Sequence, residues 1–257
     1  MRKQETHSLA CMEVWGGNRA VVQDVTLPGL AGWIYSQPLA GSAGGDVYYL
    51  SLCGAGQLTR VSVADVSGHG AAVSRAAEHL RELMRKHINT FDQSELVREL
   101  NWAFEQEAPR GKFATVLLLG VSRGTGELVF TNGGHPSPLW HRAARRMWTL
   151  LEEAAPDTGT AIADLPLGLI PGTHYHQFVA RLDPGDLVLI YTDALSEARN
   201  PAGEMLQPQG LLRLAQQLPV DSPAAAGQGL LKAVEQFRAG RPISDDQTVV
   251  ALQRLAA

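Results

Sequence analysis

The chain has 257 residues, of which 45% are hydrophobic and 19% charged, and its formal net charge is −4. This length suits one large domain or two small ones, and the apolar fraction is enough for a sizeable core. A mildly acidic chain lacks the basic surface that a general nucleic-acid binder needs, so we expect no nucleic-acid partner.

The cysteine count and the hydropathy exclude several further classes. Cys11 and Cys53 are too few for a disulfide framework or a zinc-finger pattern, and two reduced thiols fit a cytoplasmic protein. The longest apolar runs, 116–121 and 187–191, are far shorter than a bilayer span. The N-terminus carries two basic residues with no apolar segment after them, so it does not resemble a signal peptide. We therefore expect a cytoplasmic protein without a membrane partner.

The first half of the chain changes from a strand pattern to a helix pattern. Residues 32–37, 47–53 and 58–64 are short, rich in β-branched and aromatic residues, and separated by Gly and Pro, which predicts three strands. Residues 54–56 have the composition of a hairpin turn. Residues 71–87 and 92–107 then predict two helices, the second beginning at Asp92 or Ser94 as N-cap.

Strand signals return in the second half and end in another pair of helices. Strands are predicted at 113–121, 127–131, within 139–148, at 177–182, 187–192 and 248–252. Residues 152–164 have the composition of a surface loop, and 208–217 and 223–238 predict helices. Strands joined by tight turns must pair antiparallel, and paired helices suit the outer faces of sheets. The pattern predicts a single α/β (α+β) domain with mainly antiparallel sheets.

Acidic residues stand where apolar strands begin or end. Asp46 opens a strand after two glycines, Asp65 closes one, Asp193 follows one, and Asp245 and Asp246 precede the last. Each of them alone is more often ordinary turn chemistry. Converging carboxylates, however, repel one another unless a cation joins them, and an oxygen-only set favours Mg²⁺ or Mn²⁺. The pattern therefore permits a metal site without proving one.

At these residues the chain resembles the bacterial protein phosphatase 2C-like family of the SpoIIE type. The matching segments occur in family order over roughly residues 30–254. They are G-G-D-V-Y-Y (44–49), A-D-V-S-G-H-G-A-A (64–72), F-A-T-V-L-L-L-G-V (113–121), F-T-N-G-G-H-P-S-P-L (130–139), L-P-L-G-L (165–169), L-D-P-G-D-L-V-L-I-Y-T-D (182–193), S-E-A-R-N (196–200) and S-D-D-Q-T-V-V (244–250).

The resemblance implies two stacked, mainly antiparallel sheets flanked by helices, an α-β-β-α sandwich. It places the catalytic domain at residues 29–257 and leaves 1–28 as an N-terminal extension or first strand region. It also implies two Mn²⁺ or Mg²⁺ ions held by Asp65 as the bridging ligand, Asp46 with the Val66 carbonyl, and Asp193 with Asp245. Asp246 stays open as an alternative to Asp245.

The activity implied by the resemblance is hydrolysis of phosphoserine or phosphothreonine by metal-activated water, with Asp65 and Asp193 essential. Neither cysteine begins a C-x5-R phosphatase signature, which agrees with a mechanism that lacks a protein nucleophile. The implied substrate is a phosphorylated regulatory protein, such as an anti-sigma-factor antagonist, and an activating partner protein could act through the two helices at 71–107. A phosphoprotein-binding module without activity and a hydrolase of small phosphoesters stay open.

One residue departs from the family pattern, and three others have ambiguous roles. Ala194 stands where the family usually has glycine, and it would strain the backbone only if φ were positive there. A structural role is expected for His69 and His135 rather than general acid catalysis. Ser67 lacks the G-x-S-x-G elbow of a nucleophile, and we expect it to bond a backbone amide.

Overall fold

The computed structural model describes residues 6–10, 13–53, 56–68, 70–87, 90, 92–108, 111–152 and 163–256. Most of the predicted turn at 54–56 and most of the predicted loop at 152–164 therefore lie outside the described residues. Within the described part of the chain, no helix is long and apolar enough to cross a membrane.

The described strands of one sheet number six and pair antiparallel throughout, in the order β11-β8-β7-β6-β5-β2. Two helices that follow β6 along the chain cover the outer face of this sheet. The elements are β2 (Val14–Gly17), β5 (Asp46–Cys53), β6 (Leu58–Val66), α1 (Ala71–Lys86), α2 (Gln93–Glu107), β7 (Ala114–Ser122), β8 (Glu127–Gly133) and β11 (Phe178–Arg181).

The other sheet has seven described strands, in the order β1-β3-β4-β13-β12-β9-β10. Only the pair β1 and β3 is parallel, and three helices accompany this sheet. The elements are β1 (His7–Ser8), β3 (Val21–Leu27), β4 (Leu30–Gln37), β9 (Leu139–Arg142), β10 (Met147–Leu150), β12 (Leu187–Tyr191), α3 (Asp193–Ser196), α4 (Gln207–Ala215), α5 (Pro223–Arg238) and β13 (Gln247–Arg254).

Three apolar clusters show how the layers stack. The central cluster, which includes Ile34 and Leu50, draws side chains from both sheets. A second packs α1 and α2 on the six-stranded sheet, and a third packs α3, α4 and α5 on the seven-stranded sheet. The predicted α-β-β-α sandwich of mainly antiparallel sheets is therefore confirmed.

Side-chain caps explain where two of the helices begin. Asp92 accepts a hydrogen bond from the Glu95 amide at 3.0 Å, so it is the N-cap of α2. Ser222 caps α5 in the same way through the Ala225 amide at 3.1 Å, with Pro223 at the first helical position, where its missing N–H is harmless.

The N-terminal strands were not predicted individually. Residues 21–27 form β3, which pairs with β4 over its whole length, and residues 14–17 form β2 at the edge of the other sheet. The segment before residue 29 thus supplies strands to both layers. The short helix α3, which directly follows β12, was also absent from the sequence prediction.

Candidate metal centre

Two aspartates face each other across neighbouring strands of the six-stranded sheet. The register of β5 and β6 pairs Asp46 with Asp65, so both stand at the same end of the sheet. Asp46 is buried and Asp65 is partly exposed. The turn before Asp46 requires glycine at residue 45, because a Cβ atom on Gly45 would lie 2.9 Å from the Val66 carbonyl oxygen.

The other acidic residues come from the neighbouring ends of two strands in the seven-stranded sheet. Asp193 begins α3 just after β12, and Asp245 lies just before β13. These strands are antiparallel neighbours, with Tyr191 opposite Val249, so the end of one lies beside the start of the other. The topology thus brings Asp193 and Asp245 to one corner of this sheet.

A hydrogen-bonded threonine joins this corner to the first pair of aspartates. The Thr192 hydroxyl donates to Asp46 Oδ2 at 2.8 Å, and it accepts from the Thr248 amide at 3.0 Å. Asp46 belongs to one sheet, whereas Thr192 and Thr248 belong to the other. The predicted ligands from the two sheets therefore meet at a single end of the sandwich.

The carboxylates at this end raise one another's pKa. Burial raises the pKa of Asp65 to about 8, with further contributions from the charges of Asp193, Asp245, Asp246 and Glu197. Burial, followed by Glu197 and Asp245, raises that of Asp193 to about 6.

The pKa of Asp46 is raised as well. Its pKa lies well above the ordinary value because of burial and the charge of Asp65, although hydrogen bonds from Thr248 and Thr192 act in the opposite direction. Such electrostatic strain is what a bound divalent cation would relieve. The cluster is therefore an acidic site that favours positive charge.

The raised pKa of Asp65 predicts that the metal-free protein becomes less stable as the pH rises. Asp65 binds its proton with a pKa of about 8 when folded, against about 3.9 when unfolded. The folded state therefore holds more protons between these values, and the contribution of Asp65 to stability, complete below the lower pKa, is lost as pH rises through the upper one. Urea unfolding in EDTA from about pH 5 to about pH 8 should show stability falling more steeply for wild type than for Asp65→Asn. Parallel curves would contradict this assignment.

Glu197 is part of the cluster and was not among the site residues predicted from the sequence. It lies one helical turn after Asp193, and its charge acts on both Asp193 and Asp65. The spacing of four residues, which places two side chains on one face of a helix, is the signal that could have identified it.

Asp246 has a clear structural function in this site. Its carboxylate accepts hydrogen bonds from the Leu39 amide at 2.6 Å and the Gly45 amide at 2.5 Å. A Cβ atom on Gly44 would overlap the same carboxylate, which explains the glycine there. Asp246 thus ties the turn before Asp46 to the start of β13. The Asp245 carboxylate accepts a hydrogen bond from the Asp246 amide at 2.9 Å, and its charge acts on Asp65 and Asp193.

The remaining polar residues of the motifs have structural contacts. Ser67 accepts a hydrogen bond from the Phe113 amide at 3.2 Å, as expected for a residue that bonds a backbone amide. His135 is buried against Thr115, with 2.9 Å between Nδ1 and the hydroxyl, and Asn132 bonds both its amide and its carbonyl. Burial lowers the pKa of His135 to about 3, so it is neutral at physiological pH. His69 lies outside the described residues.

The backbone at Ala194 has no strain that glycine would relieve. Ala194 is the second residue of α3, and it is absent from the residues with positive φ in the described chain. Its amide also bonds the Asp193 carboxylate, which lowers the pKa of that group.

We therefore expect Ala194→Gly to leave turnover within about twofold of wild type and to reduce stability by about 0.5–1 kcal/mol, the usual difference between these residues in a helix. Phosphoester kinetics and urea unfolding measure the two effects. A large gain in turnover would show that the alanine impairs the site.

The donor chemistry of the cluster fits divalent cations that prefer oxygen. Its side chains are all carboxylates, and the Val66 carbonyl lies beside the same turn. Among the described residues, no group of three or more His, Cys, Asp and Glu side chains is arranged tightly enough to hold an ion. The fit thus depends on the identity, charge and convergence of the oxygens.

The same architecture occurs in solved structures. The chain is similar to a Mycobacterium tuberculosis protein with RsbU and RsbW domains, at 25% identity and a TM-score of 0.74 over 93% of this chain and 63% of that one. It is also similar to the catalytic domain of the serine/threonine protein phosphatase PstP, solved with two manganese ions, at 16% identity and a TM-score of 0.58 over 88% of this chain and 99% of that one. The fold and the motifs together define a protein phosphatase 2C-like chain.

The particular family follows from the sequence. The family model described as Stage II sporulation protein E (SpoIIE) matches residues 55–255, and the chain belongs to that family, which confirms the resemblance. The chain is 21% identical to the phosphoserine phosphatase RsbU of Bacillus subtilis (strain 168) over 202 residues, which cover 76% of this chain and 55% of that protein. It thus spans about half the length of this relative.

Proposed function

We propose that the chain is a metal-dependent serine/threonine protein phosphatase of bacterial signalling. The observation that carries the proposal is the convergence of Asp46, Asp65, Asp193 and Asp245 from both sheets onto one mutually repelling cluster. Membership of the SpoIIE family and similarity to a phosphoserine phosphatase support it.

The proposed ligands divide between two ions, Mn²⁺ or Mg²⁺. Asp65 would contact both ions. Asp46 and the Val66 carbonyl would complete the site of one ion, and Asp193 and Asp245 would complete the site of the other. When bound, the two ions would lower the pKa of a water molecule and neutralise charge that develops on the phosphoryl oxygens. The similar PstP catalytic domain, which contains two manganese ions, supports this count.

The protein's own residues orient the proposed ligands. Thr192 holds the Asp46 carboxylate through its hydroxyl, and the Ala194 amide bonds Asp193. Asp246 holds the turn at Gly45 and is proposed to position Asp46 without binding metal itself. Each of these contacts reduces the number of orientations open to a carboxylate, as a neighbouring hydrogen bond does at many metal sites.

The substrate is proposed to be a phosphorylated regulatory protein, such as an anti-sigma-factor antagonist. One similar protein is named a phosphoserine phosphatase, and another combines an RsbU domain with an RsbW domain. These names support a phosphoprotein substrate in a bacterial regulatory system.

An activating partner is proposed to act through α1. Ser74 of this helix donates to the Ala43 carbonyl at 2.7 Å, and Asn18 bonds both Gly44 and Ser74 through backbone carbonyls. The start of α1 is thus tied to the turn that precedes Asp46. If a partner acts there, it should change Mn²⁺ affinity or turnover, and no change in either with a bound candidate partner would count against it.

The direct test is Mn²⁺-dependent hydrolysis of a phosphoserine peptide, compared with a nucleotide and a sugar phosphate. We expect turnover of the peptide that EDTA abolishes, and its loss in Asp193→Asn but not in the exposed control Asp221→Asn. Preference for the small phosphates would instead favour the small-phosphoester hydrolase. A folded wild type that binds the phosphopeptide without turnover, over a range of Mn²⁺ and Mg²⁺, would favour the binding module.

A further inference from the structure

A pocket of about 290 Å³ opens beside the proposed metal centre, and its charged lining is mostly arginine. Arg199 comes from the segment after α3, Arg238 from the end of α5, and Arg241 from the turn that follows. Arg238 is ion-paired with Glu235 at 3.1 Å, so Arg199 and Arg241 supply most of the positive charge at the pocket.

The pocket shares a wall with the acidic cluster. Ala194 and Glu197 line it, and Ala194 directly follows Asp193. Ser244 also lines it and directly precedes Asp245. A group bound in the pocket would therefore lie close to a phosphoryl group held at the metal centre.

Backbone contacts hold the arginines in place. Arg241 Nη1 donates to the Asn200 carbonyl at 2.8 Å, and Arg199 Nη1 donates to the Gly203 carbonyl at 2.8 Å. The largely buried Arg238 donates from Nε to the Arg241 carbonyl at 2.9 Å and so fixes the turn that carries Arg241. These three hydrogen bonds to backbone carbonyls stabilise the positions of the two exposed arginines, Arg199 and Arg241.

Arg199 and Arg241 are suited to bind an anion. Both are exposed, and each uses Nη1 for its backbone contact, whereas a guanidinium has five N–H donors in a planar fork that matches a carboxylate. Ile243 and Pro242 add apolar lining that can contact the methylene groups of an acidic side chain.

We propose that this arginine pocket binds a carboxylate side chain of the substrate protein close to the phosphorylated residue, so that Arg199 and Arg241 select acidic target sequences. This inference rests on the proposed function, because the metal centre defines where the phosphoryl group lies. It adds a sequence preference that the carboxylates of the centre, which are themselves negative, cannot supply.

The test measures peptide binding, which does not require turnover. Two fluorescent peptides that carry a non-hydrolysable phosphonate analogue of phosphoserine are compared by anisotropy with Mn²⁺ present, one with Glu at the positions flanking the analogue and one with Gln. We expect wild type to bind the acidic peptide about tenfold more tightly, as one or two charge-assisted contacts allow. The ratio should fall to within about twofold in the double variant Arg199→Gln/Arg241→Gln and should decrease with added salt.

Control variants distinguish the pocket from general attraction. Arg145→Gln, which removes an exposed arginine on the β9–β10 connection, should keep the wild-type ratio. Arg241→Lys, which keeps the charge but loses the fork, should give an intermediate ratio. Equal binding of both peptides by wild type, or an unchanged ratio in the double variant, would overturn the proposal. The proposal would also be overturned if inorganic phosphate abolished the preference for the acidic peptide at concentrations too low to displace the phosphoserine analogue itself.

Turnover of p-nitrophenyl phosphate by wild type reports the metal centre separately. If that turnover is absent while the acidic preference persists and depends on both arginines, the pocket stands and the phosphatase proposal fails. If turnover is present without any acidic preference, the phosphatase proposal stands and the pocket is overturned.

Discussion

Replacing Asp65 with Asn is expected to reduce Mn²⁺-dependent turnover by roughly 10³-fold or more. The same replacement should stabilise the metal-free protein. Asp65 is the proposed ligand of both ions, and no other side chain of the cluster faces Asp46 directly across the sheet. Its carboxylate is also held among like charges that raise its pKa to about 8. The amide removes that repulsion and the anionic ligand together.

The gain in metal-free stability should be about 1–3 kcal/mol near neutral pH, which urea unfolding in EDTA measures. With Mn²⁺ added, wild type should gain stability by mass action, whereas Asp65→Asn should gain much less. The exposed replacement Asp221→Asn should behave as wild type in both assays. An Asp65→Asn protein that is stabilised by Mn²⁺ as strongly as wild type would exclude this residue as the shared ligand.

The adjacent aspartates Asp245 and Asp246 should give opposite results when each is changed to Asn. Asp246→Asn should destabilise the protein by about 2–3 kcal/mol, because an Asn amide group cannot accept both bonds from Leu39 and Gly45. This corresponds to a fall in melting temperature of about 4–12 °C for a chain of this size. Asp245→Asn removes a like charge that acts on Asp65 and Asp193, so it should melt no lower than wild type in EDTA and should lose Mn²⁺-dependent turnover and stabilisation.

Thermal melts with EDTA or Mn²⁺, together with turnover of a phosphopeptide, separate the two roles. Each variant is the control for the other, because they make the same chemical change at neighbouring positions. If Asp246→Asn melts like wild type but loses its response to Mn²⁺, Asp246 is a ligand and its bonds to Leu39 and Gly45 are secondary.

The strands and helices between residues 30 and 254 could be predicted largely because their signals are local. The turn at 183–186 separates two apolar runs, and Asp92 stands where a cap should be. The order of strands in the sheets depends on distant pairings, such as β13 between β4 and β12, which no local pattern contains. The β-branched residues at 21, 22, 25 and 26 were a usable signal for β3.

The candidate site was predicted to a similar extent. The positions of Asp46, Asp65, Asp193, Asp245 and Asp246 at strand ends, together with the family resemblance, predicted a metal site. The structure brings these positions to one end of the sandwich, and their role as ligands stays a prediction. Sequence alone could not separate Asp245 from Asp246, because neighbouring carboxylates differ only in which amides they reach. The backbone conformation at residue 194 was likewise undecided until the short helix α3 was seen.

The hydrogen bond between Thr192 and Asp46 means that the proposed site is assembled from two halves, one on each sheet. The spacing between the halves is then set by the apolar layer that separates the sheets, which includes Ile34 and Leu50. A bound ion would link the two sheets across this layer, so separation of the sheets and release of the metal would occur together. Substitutions deep in the core, far from any carboxylate, should therefore appear first as weaker metal binding.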